Sequence, residues 1–458
     1  MSAPLRTLRA SLRRRLLPAA AGLLLLLSGA AQARPDLARL DEIVRSYVDS
    51  GEFMGAVLVA RGDSVWLSRG YGSANLEWGI PNAPDTRFRL GSITKQFTAV
   101  GVLALVEQGR LNLDDPIGTW LPESPKAWKA ITLRHLLTHS SGIPSFTDLP
   151  DYQASKGTAS TPEQLVARFR DLPLEFQPGE RFNYSNSGYV LLGHLIERVS
   201  GQSYADFLQE RLFRPAGLQD TGQDSNRRVL ARRAAGYERG AQEPVNTDFI
   251  HMSVPFSAGA LYSTTEDLLR WQLALYDGRL LGPDALAALL TPHLDDYALG
   301  VMVHVVNGHR VVEHGGGIEG FNTHLAWYPD ERLSVIVLGN LSGPAPGDLA
   351  GKLAAVALGE TVTLARERQE VELPTEVLQQ VSGSYELRTD FLIDVFLRDG
   401  QLMTQATGQE AFPLFAESAS LFFLKVVDAQ LEFQRDAAGR VTGAVLHQGG
   451  QAIPLKRR

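Results

Sequence analysis

The chain of 458 residues contains no cysteine. That excludes a disulfide framework, a thiolate metal site, a cysteine nucleophile and a lipid-modified N-terminal cysteine. It has no repeat of fixed period and no low-complexity tract, which sets aside repeat arrays and disordered tails. It has no excess of basic charge: 44 Lys and Arg stand against 51 Asp and Glu, for a net charge of −7. A nucleic-acid partner is therefore not expected. Beyond Leu27 there is no apolar run long enough to span a bilayer.

The one long apolar run lies at the start. Arg6, Arg9 and Arg13 to Arg15 precede Leu16 to Leu27, and Ala31-Gln32-Ala33 then offers small residues to a signal peptidase. Residues 1–33 read as a cleaved signal peptide. An uncleaved anchor is the alternative, but the run is short for a span and Pro18 interrupts it. Removing the five leader arginines leaves 39 basic against 51 acidic side chains, a net charge of −12. The expected product is exported, periplasmic or secreted, with no membrane span left after cleavage. A hydrophobic content of 44% is enough for a sizeable core.

Apolar residues at Leu37, Leu40, Ile43, Val44, Tyr47 and Val48 recur at helical spacing. Gly55 to Ala60 and Ser64 to Tyr71 flank an Arg61-Gly62-Asp63 turn and read as a hairpin. Far along the chain, Leu299 to Val306 and Arg310 to His314 flank Asn307-Gly308, a strong hairpin signal, and Thr323 to Tyr328 and Ser334 to Leu338 form another pair. Between these strand groups, Gln96 to Gln108, Thr161 to Phe169, Tyr189 to Ser200, Ala205 to Phe213 and Thr265 to Leu275 read as helices. The expected fold class is α+β: an antiparallel sheet from both chain ends with a helical insertion between them. This domain spans 34–362. A charged linker follows over 363–376, and short strand-like runs over 377–458 predict a small antiparallel β-barrel-like domain.

Lysine is scarce beside arginine, yet Lys95 falls three residues after Ser92, where an apolar helix begins. Positions i and i+3 share a helix face, so the hydroxyl and the amine can meet. Lysine can take up and release a proton when its surroundings lower its pKa; arginine cannot. The plainer alternative is that Ser92 caps the helix and Lys95 is solvated. Tyr184-Ser185-Asn186, before the helix at Tyr189, offers a phenol that can handle a proton and an amide that can bind a substrate amide or the lysine. Taken alone it also reads as a cap behind a packed tyrosine. His314-Gly315-Gly316-Gly317 ends a strand, where glycines allow a close backbone approach. The N–H of Gly317, with that of Ser92, could form an oxyanion hole. Taken alone, that glycine run is a turn.

These three elements in this order resemble the serine β-lactamase and penicillin-binding superfamily, in its class C β-lactamase-like branch. That branch includes DD-carboxypeptidases, D-aminopeptidases and β-lactamase-fold esterases. The stretches His135 to Pro144, Pro215-Ala216-Gly217-Leu218 and Ala258 to Thr264 agree with it, and the resemblance runs from Leu37 to Glu360. It implies acyl transfer through Ser92, proton handling by Lys95 and Tyr184, and substrate steering by Asn186. His314 and Gly316 would lie along the opposite wall and Gly317 in the oxyanion hole. No cofactor and no metal are implied.

Two departures bear on substrate. His314 stands where class C β-lactamases carry lysine, which removes a fixed positive charge for a β-lactam or peptide carboxylate. Phe146 or a neighbour stands where those enzymes offer a glutamine, which suggests an apolar pocket. The expectation is an exported serine hydrolase acting on an ester or a small peptide-like amide. The alternatives are a DD-carboxypeptidase or D-aminopeptidase on cell-wall peptides, a β-lactamase, or a non-catalytic penicillin-binding sensor. The partner is a small molecule or short peptide, and the C-terminal domain could cover the cleft or mediate oligomerisation. His135 and His139 are four apart but lack the glutamate of a zinc-binding helix, so they read as helix-end and core residues. Glu319 and His324 could touch substrate but read more simply as structural or exposed.

Overall fold

The computed structural model describes residues 36–389, 391–448 and 451–458. The expected signal peptide lies outside the described residues. Strands β1 (Gly55–Arg61), β2 (Ser64–Tyr71), β3 (Met302–Val306), β4 (His309–Ile318), β5 (Phe321–Tyr328) and β6 (Leu333–Gly339) form one antiparallel sheet in the order β3-β4-β5-β6-β1-β2. The two chain ends meet where β1 pairs with β6, Val57 opposite Val337.

Strand periodicity sends alternate residues to opposite faces. Val57, Val59, Val335 and Val337 pack with Leu40, Ile43 and Val44 of helix α1 (Leu37–Asp49). Ala56, Leu58, Ile336 and Leu338 face the helical insertion. Each buried aliphatic side chain contributes about 1.5–3 kcal/mol, so both faces are firmly held.

Helix α2 (Thr94–Glu107) runs through the insertion and is buried on nearly every side. Phe97 stacks on Trp271 with ring centroids 4.0 Å apart, and the Trp271 indole N–H donates to Gln96 Oε1 at 2.7 Å. Helix α3 (Asn186–Ser200) packs beside it. The short helix Phe256–Gly259 bridges the two: Thr98 Oγ1 donates to Ser257 O, and Ser257 Oγ donates to Tyr189 O.

Several bounds differ from the sequence expectation. The strand expected from Leu299 begins at Met302, because Ala298 N–H donates to Val301 O and closes a turn first. The helix expected over Ala205 to Phe213 is α-helical at Tyr204–Leu208 and π-helical at Gln209–Phe213. Residues 363–376 hold a turn at Ala365–Glu367 pinned to α1 by ion pairs Arg39–Glu367 and Arg366–Glu42, each 2.5 Å. The helix Thr375–Val381 begins inside the same stretch.

The C-terminal part is a nine-stranded antiparallel sheet around its own cluster of Tyr385, Ile393, Val395, Phe422, Leu431, Phe433 and Leu455. Its two outermost strands, Phe412–Pro413 and Phe415–Ala416, are separated in sequence only by Leu414, so the sheet curls back into a nearly closed barrel. Lys352 Nζ of the preceding helix, Ala345–Ala357, reaches Asp428 Oδ2 at 2.5 Å and ties the barrel to the main sheet. Among the described residues no helix is long and apolar enough to cross a membrane.

The Phe97–Trp271 stack holds α2 against the core. Phe97→Ala is expected to destabilise the protein by about 3–5 kcal/mol, measured as a lower urea midpoint with an unchanged m-value.

Candidate active site

Ser92 sits in the turn Gly91–Ile93 that leads into α2, and Lys95 follows one turn later with its side chain fully buried. Neither half of the plainer reading holds: Ser92 makes no cap for α2, and Lys95 is not solvated. Lys95 Nζ lies 3.0 Å from Ser92 Oγ, 2.8 Å from Asn186 Oδ1 and 2.9 Å from the carbonyl oxygen of Ala258. Burial holds this amine well below its ordinary pKa. A neutral amine has two N–H bonds and one lone pair. The two carbonyl oxygens take the N–H bonds, and the lone pair is left facing the Ser92 hydroxyl.

Asn186 is oriented for this task. Its Nδ2 donates to Thr147 Oγ1 at 3.1 Å, which turns Oδ1 toward the lysine, and its backbone N–H donates to Ser145 Oγ. The Tyr184 ring lies over Lys95 Nζ at 4.7 Å, and its hydroxyl hydrogen-bonds with Ser92. Burial raises the phenol pKa, with the Ser92 bond opposing, so the phenol keeps its proton at neutral pH. Of the two groups beside Ser92, the lysine is the one suited to accept its proton.

The third element closes on the turn that carries Ser92. Strand β3 pairs with β4 only as far as Glu313, which leaves residues 314–318 without a sheet partner on that side. The turn at Leu90 and Gly91 fills the space. A Cβ on Gly316 would lie 1.9 Å from Leu90 O, and one on Gly91, whose φ is +54°, would lie 2.7 Å from Gly317 N. Glycine at both positions lets the turn that carries Ser92 pack against the strand at Gly317, and both residues line the cavity. Two backbone N–H donors can hold a developing oxyanion.

His314 lies behind this wall instead of lining it, which corrects its expected place. It is 8% exposed and both ring nitrogens are engaged inside the protein: Nε2 with Tyr297 Oη at 2.9 Å and Nδ1 with Gly315 O at 2.5 Å. Burial lowers its pKa to about 4. Tyr297 Oη also meets His139 Nε2 at 3.2 Å, while His139 Nδ1 accepts the N–H of Ser185. These partners fix the proton of neutral His139 on Nε2 and that of His314 on Nδ1. His139 also packs at a tilt against Tyr184 with centroids 4.1 Å apart, so it touches both the ring and the backbone of the Tyr-Ser-Asn segment.

His135 closes a cap with Thr132, and His324 shares Glu313 with His304. Sequence reasoning gave no role to Ala258, Tyr297 or Lys156. A backbone carbonyl carries no side-chain signature, and the other two lie in loops far from any motif.

A cavity of about 560 Å³ opens over Ser92, Asn186 and Gly317. Phe146, buried against Tyr152 and Phe169, forms part of its wall. The rest of the wall is not apolar: Gln153, Lys156, Glu238, Asp248, Glu319 and Asn322 line it as well.

Residues 40–359 match the Beta-lactamase family, and residues 367–457 match a domain of unknown function, DUF3471. The chain belongs to the Beta-lactamase family. A penicillin-binding protein of Bacillus subtilis is 28% identical over 421 residues, covering 86% of this chain and 93% of its own length. The octameric penicillin-binding protein homologue from Pyrococcus abyssi superposes with a TM-score of 0.68 at 25% identity, over 92% of this chain and all of its own. The D-amino acid amidase from Ochrobactrum anthropi superposes with a TM-score of 0.63 at 25% identity, over 71% of this chain and 98% of its own. The fold is the α+β β-lactamase and transpeptidase type, and the chain is a serine hydrolase of that superfamily.

If neutral Lys95 is the base, a permanently charged side chain cannot replace it. Lys95→Arg is expected to lower kcat/KM for a neutral ester by about 10²–10⁴-fold, as far as Lys95→Ala does. Asn186→Asp places a carboxylate beside the amine, which stabilises its protonated form. The acid limb of the pH–rate profile should then move to higher pH by about one unit or more.

Proposed function

We propose that the protein is an exported serine hydrolase that cleaves an ester or a small peptide-like amide through an acyl-enzyme on Ser92. The observation that carries this reading is the 3.0 Å contact between Ser92 Oγ and the buried Lys95 amine, which also meets Asn186 Oδ1 and Ala258 O. Oγ attacks the substrate carbonyl carbon while its proton passes to Lys95 Nζ. The oxyanion is held by the N–H groups of Ser92 and Gly317. Collapse breaks the bond to the leaving alcohol or amine, which takes its proton back from Lys95 by way of the Tyr184 hydroxyl. Water then attacks the ester on Ser92, with the same amine and phenol handling its proton, and the acid departs.

Asn186 has two tasks in this scheme: it accepts from Lys95 and it faces the cavity beside the nucleophile. Charge supports the preference over β-lactams. His314 is neutral and turned inward, and Lys95 is buried, so neither offers a fixed cation to an anionic substrate. The leader-like first 33 residues support export. The octameric homologue supports an assembly, for which the C-terminal barrel is the part available beside the catalytic domain.

A fluorophosphonate probe should label the purified protein, and Ser92→Ala should abolish the labelling. Equal labelling of both would remove Ser92 as the nucleophile. p-Nitrophenyl acetate should be cleaved faster than nitrocefin, and a nitrocefin rate far above the ester rate would reverse the substrate order.

A further inference from the structure

The wall of the Ser92 cavity carries an ion pair that the acyl-transfer chemistry does not use. Lys156 is 7% exposed, and its Nζ lies 3.1 Å from Glu319 Oε1 and 3.3 Å from Asp248 Oδ2. Burial alone would lower the pKa of this lysine; the two carboxylates outweigh it and keep the ammonium charged. Among the described residues lining the cavity Lys156 is the only cation, beside three carboxylates, those of Glu238, Asp248 and Glu319, of which it pairs with the last two. Its charge is thus committed to the wall and not offered to a substrate. A half-closed cavity with low-dielectric walls concentrates the field of the remaining negative charge.

Position adds to charge. Glu319 follows Gly317 by two residues, so their Cα atoms are at most about 7 Å apart. Gly317 supplies one of the two N–H groups where the reacting carbonyl would sit. The Glu319 side chain is 14% exposed, in a turn that directly continues the catalytic strand. Its carboxylate lines the same cavity as Ser92, on the side held by Lys156. Phe146, Tyr152, Ile250 and Ile318 form the apolar surface beside it.

We propose that Glu319, set by its pairing with Lys156, is a specificity residue that accepts a positively charged amino group close to the scissile carbonyl, so that the substrates are cationic amides or esters with a free amine. This rests on the serine-hydrolase reading above. Substrates carrying a carboxylate at that place are repelled, and blocking the amine removes an ionic hydrogen bond.

The experiment compares alanine p-nitroanilides, of both stereochemistries, with a free amine, an N-acetyl cap and an anionic N-succinyl cap. The expected order of kcat/KM is free amine above acetyl above succinyl, with about tenfold or more between the first two. In Glu319→Gln the ratio of free amine to acetyl should fall about tenfold, through KM, and Glu319→Asp should restore part of it. Should the variants not fold, the wild-type protein still decides: butylammonium should slow fluorophosphonate labelling of Ser92 more than butyrate does at equal concentration. A faster succinyl substrate, an unchanged ratio in folded Glu319→Gln, or equal protection by amine and acid overturns the proposal. Labelling of Ser92 without any charge preference overturns this inference and leaves the serine-hydrolase reading standing. Absence of labelling removes both.

Discussion

The site depends on keeping one primary amine out of water. Lys95 has no carboxylate partner; its contacts are a hydroxyl and two carbonyl oxygens, and burial is the cause of its lowered pKa. Desolvation penalises the ammonium far more than the amine, so the fold selects the form with a free lone pair. Arginine in the same place would remain charged, and the surroundings contain nothing to neutralise it. The three contacts come from the α2 turn, the start of α3 and the short helix Phe256–Gly259. The fold around the insertion can be understood as the means of bringing these three together.

The region behind the nucleophile is likewise without formal charge. His139, Tyr297 and His314 form a hydrogen-bonded row in which each ring nitrogen has one partner, and burial keeps both histidines neutral. A charged residue in that row would act on Lys95 at short range and shift the amine away from its working form. Charge that distinguishes substrates is therefore better placed at the cavity wall, where Lys156, Asp248 and Glu319 lie.

Much of this was legible because it is local. Ser92 and Lys95 share one helical turn, Tyr184 and Asn186 are two residues apart, and His314 to Gly317 are consecutive. The turn-flanked strand pairs near both chain ends also predicted the main sheet. What escaped is what depends on long-range geometry. His314 was expected to face substrate because it occupies the place of a lysine, but Tyr297, 17 residues away in sequence, draws its ring inward. Lys156 sits in no motif, so its pairing with Glu319, a residue the sequence offered only as a possible substrate contact, did not show. In the barrel, the closing strands are two residues each, too short to show any period, and the helix Thr375–Val381 begins within what reads as a charged linker.

The proposed oxyanion hole would tie catalysis in this fold to completion of the fold. One donor comes from residue 92, before the helical insertion, and the other from residue 317, after it. The segments that carry them pack together where β4 outruns β3 at Glu313 and the Leu90–Gly91 turn occupies the vacant edge. Thr323 Oγ1 of the neighbouring strand fastens the turn by donating to Leu90 O at 2.8 Å. That contact joins segments from either side of the helical insertion, in the sheet where the two chain ends pair across β1 and β6. Local opening of β4 would separate the donors without disturbing Ser92 and Lys95, whose contact lies within α2 and its leading turn. The proton-handling half of the site is thus local and the charge-stabilising half is global, so partial unfolding should abolish turnover while the nucleophile and its base remain paired.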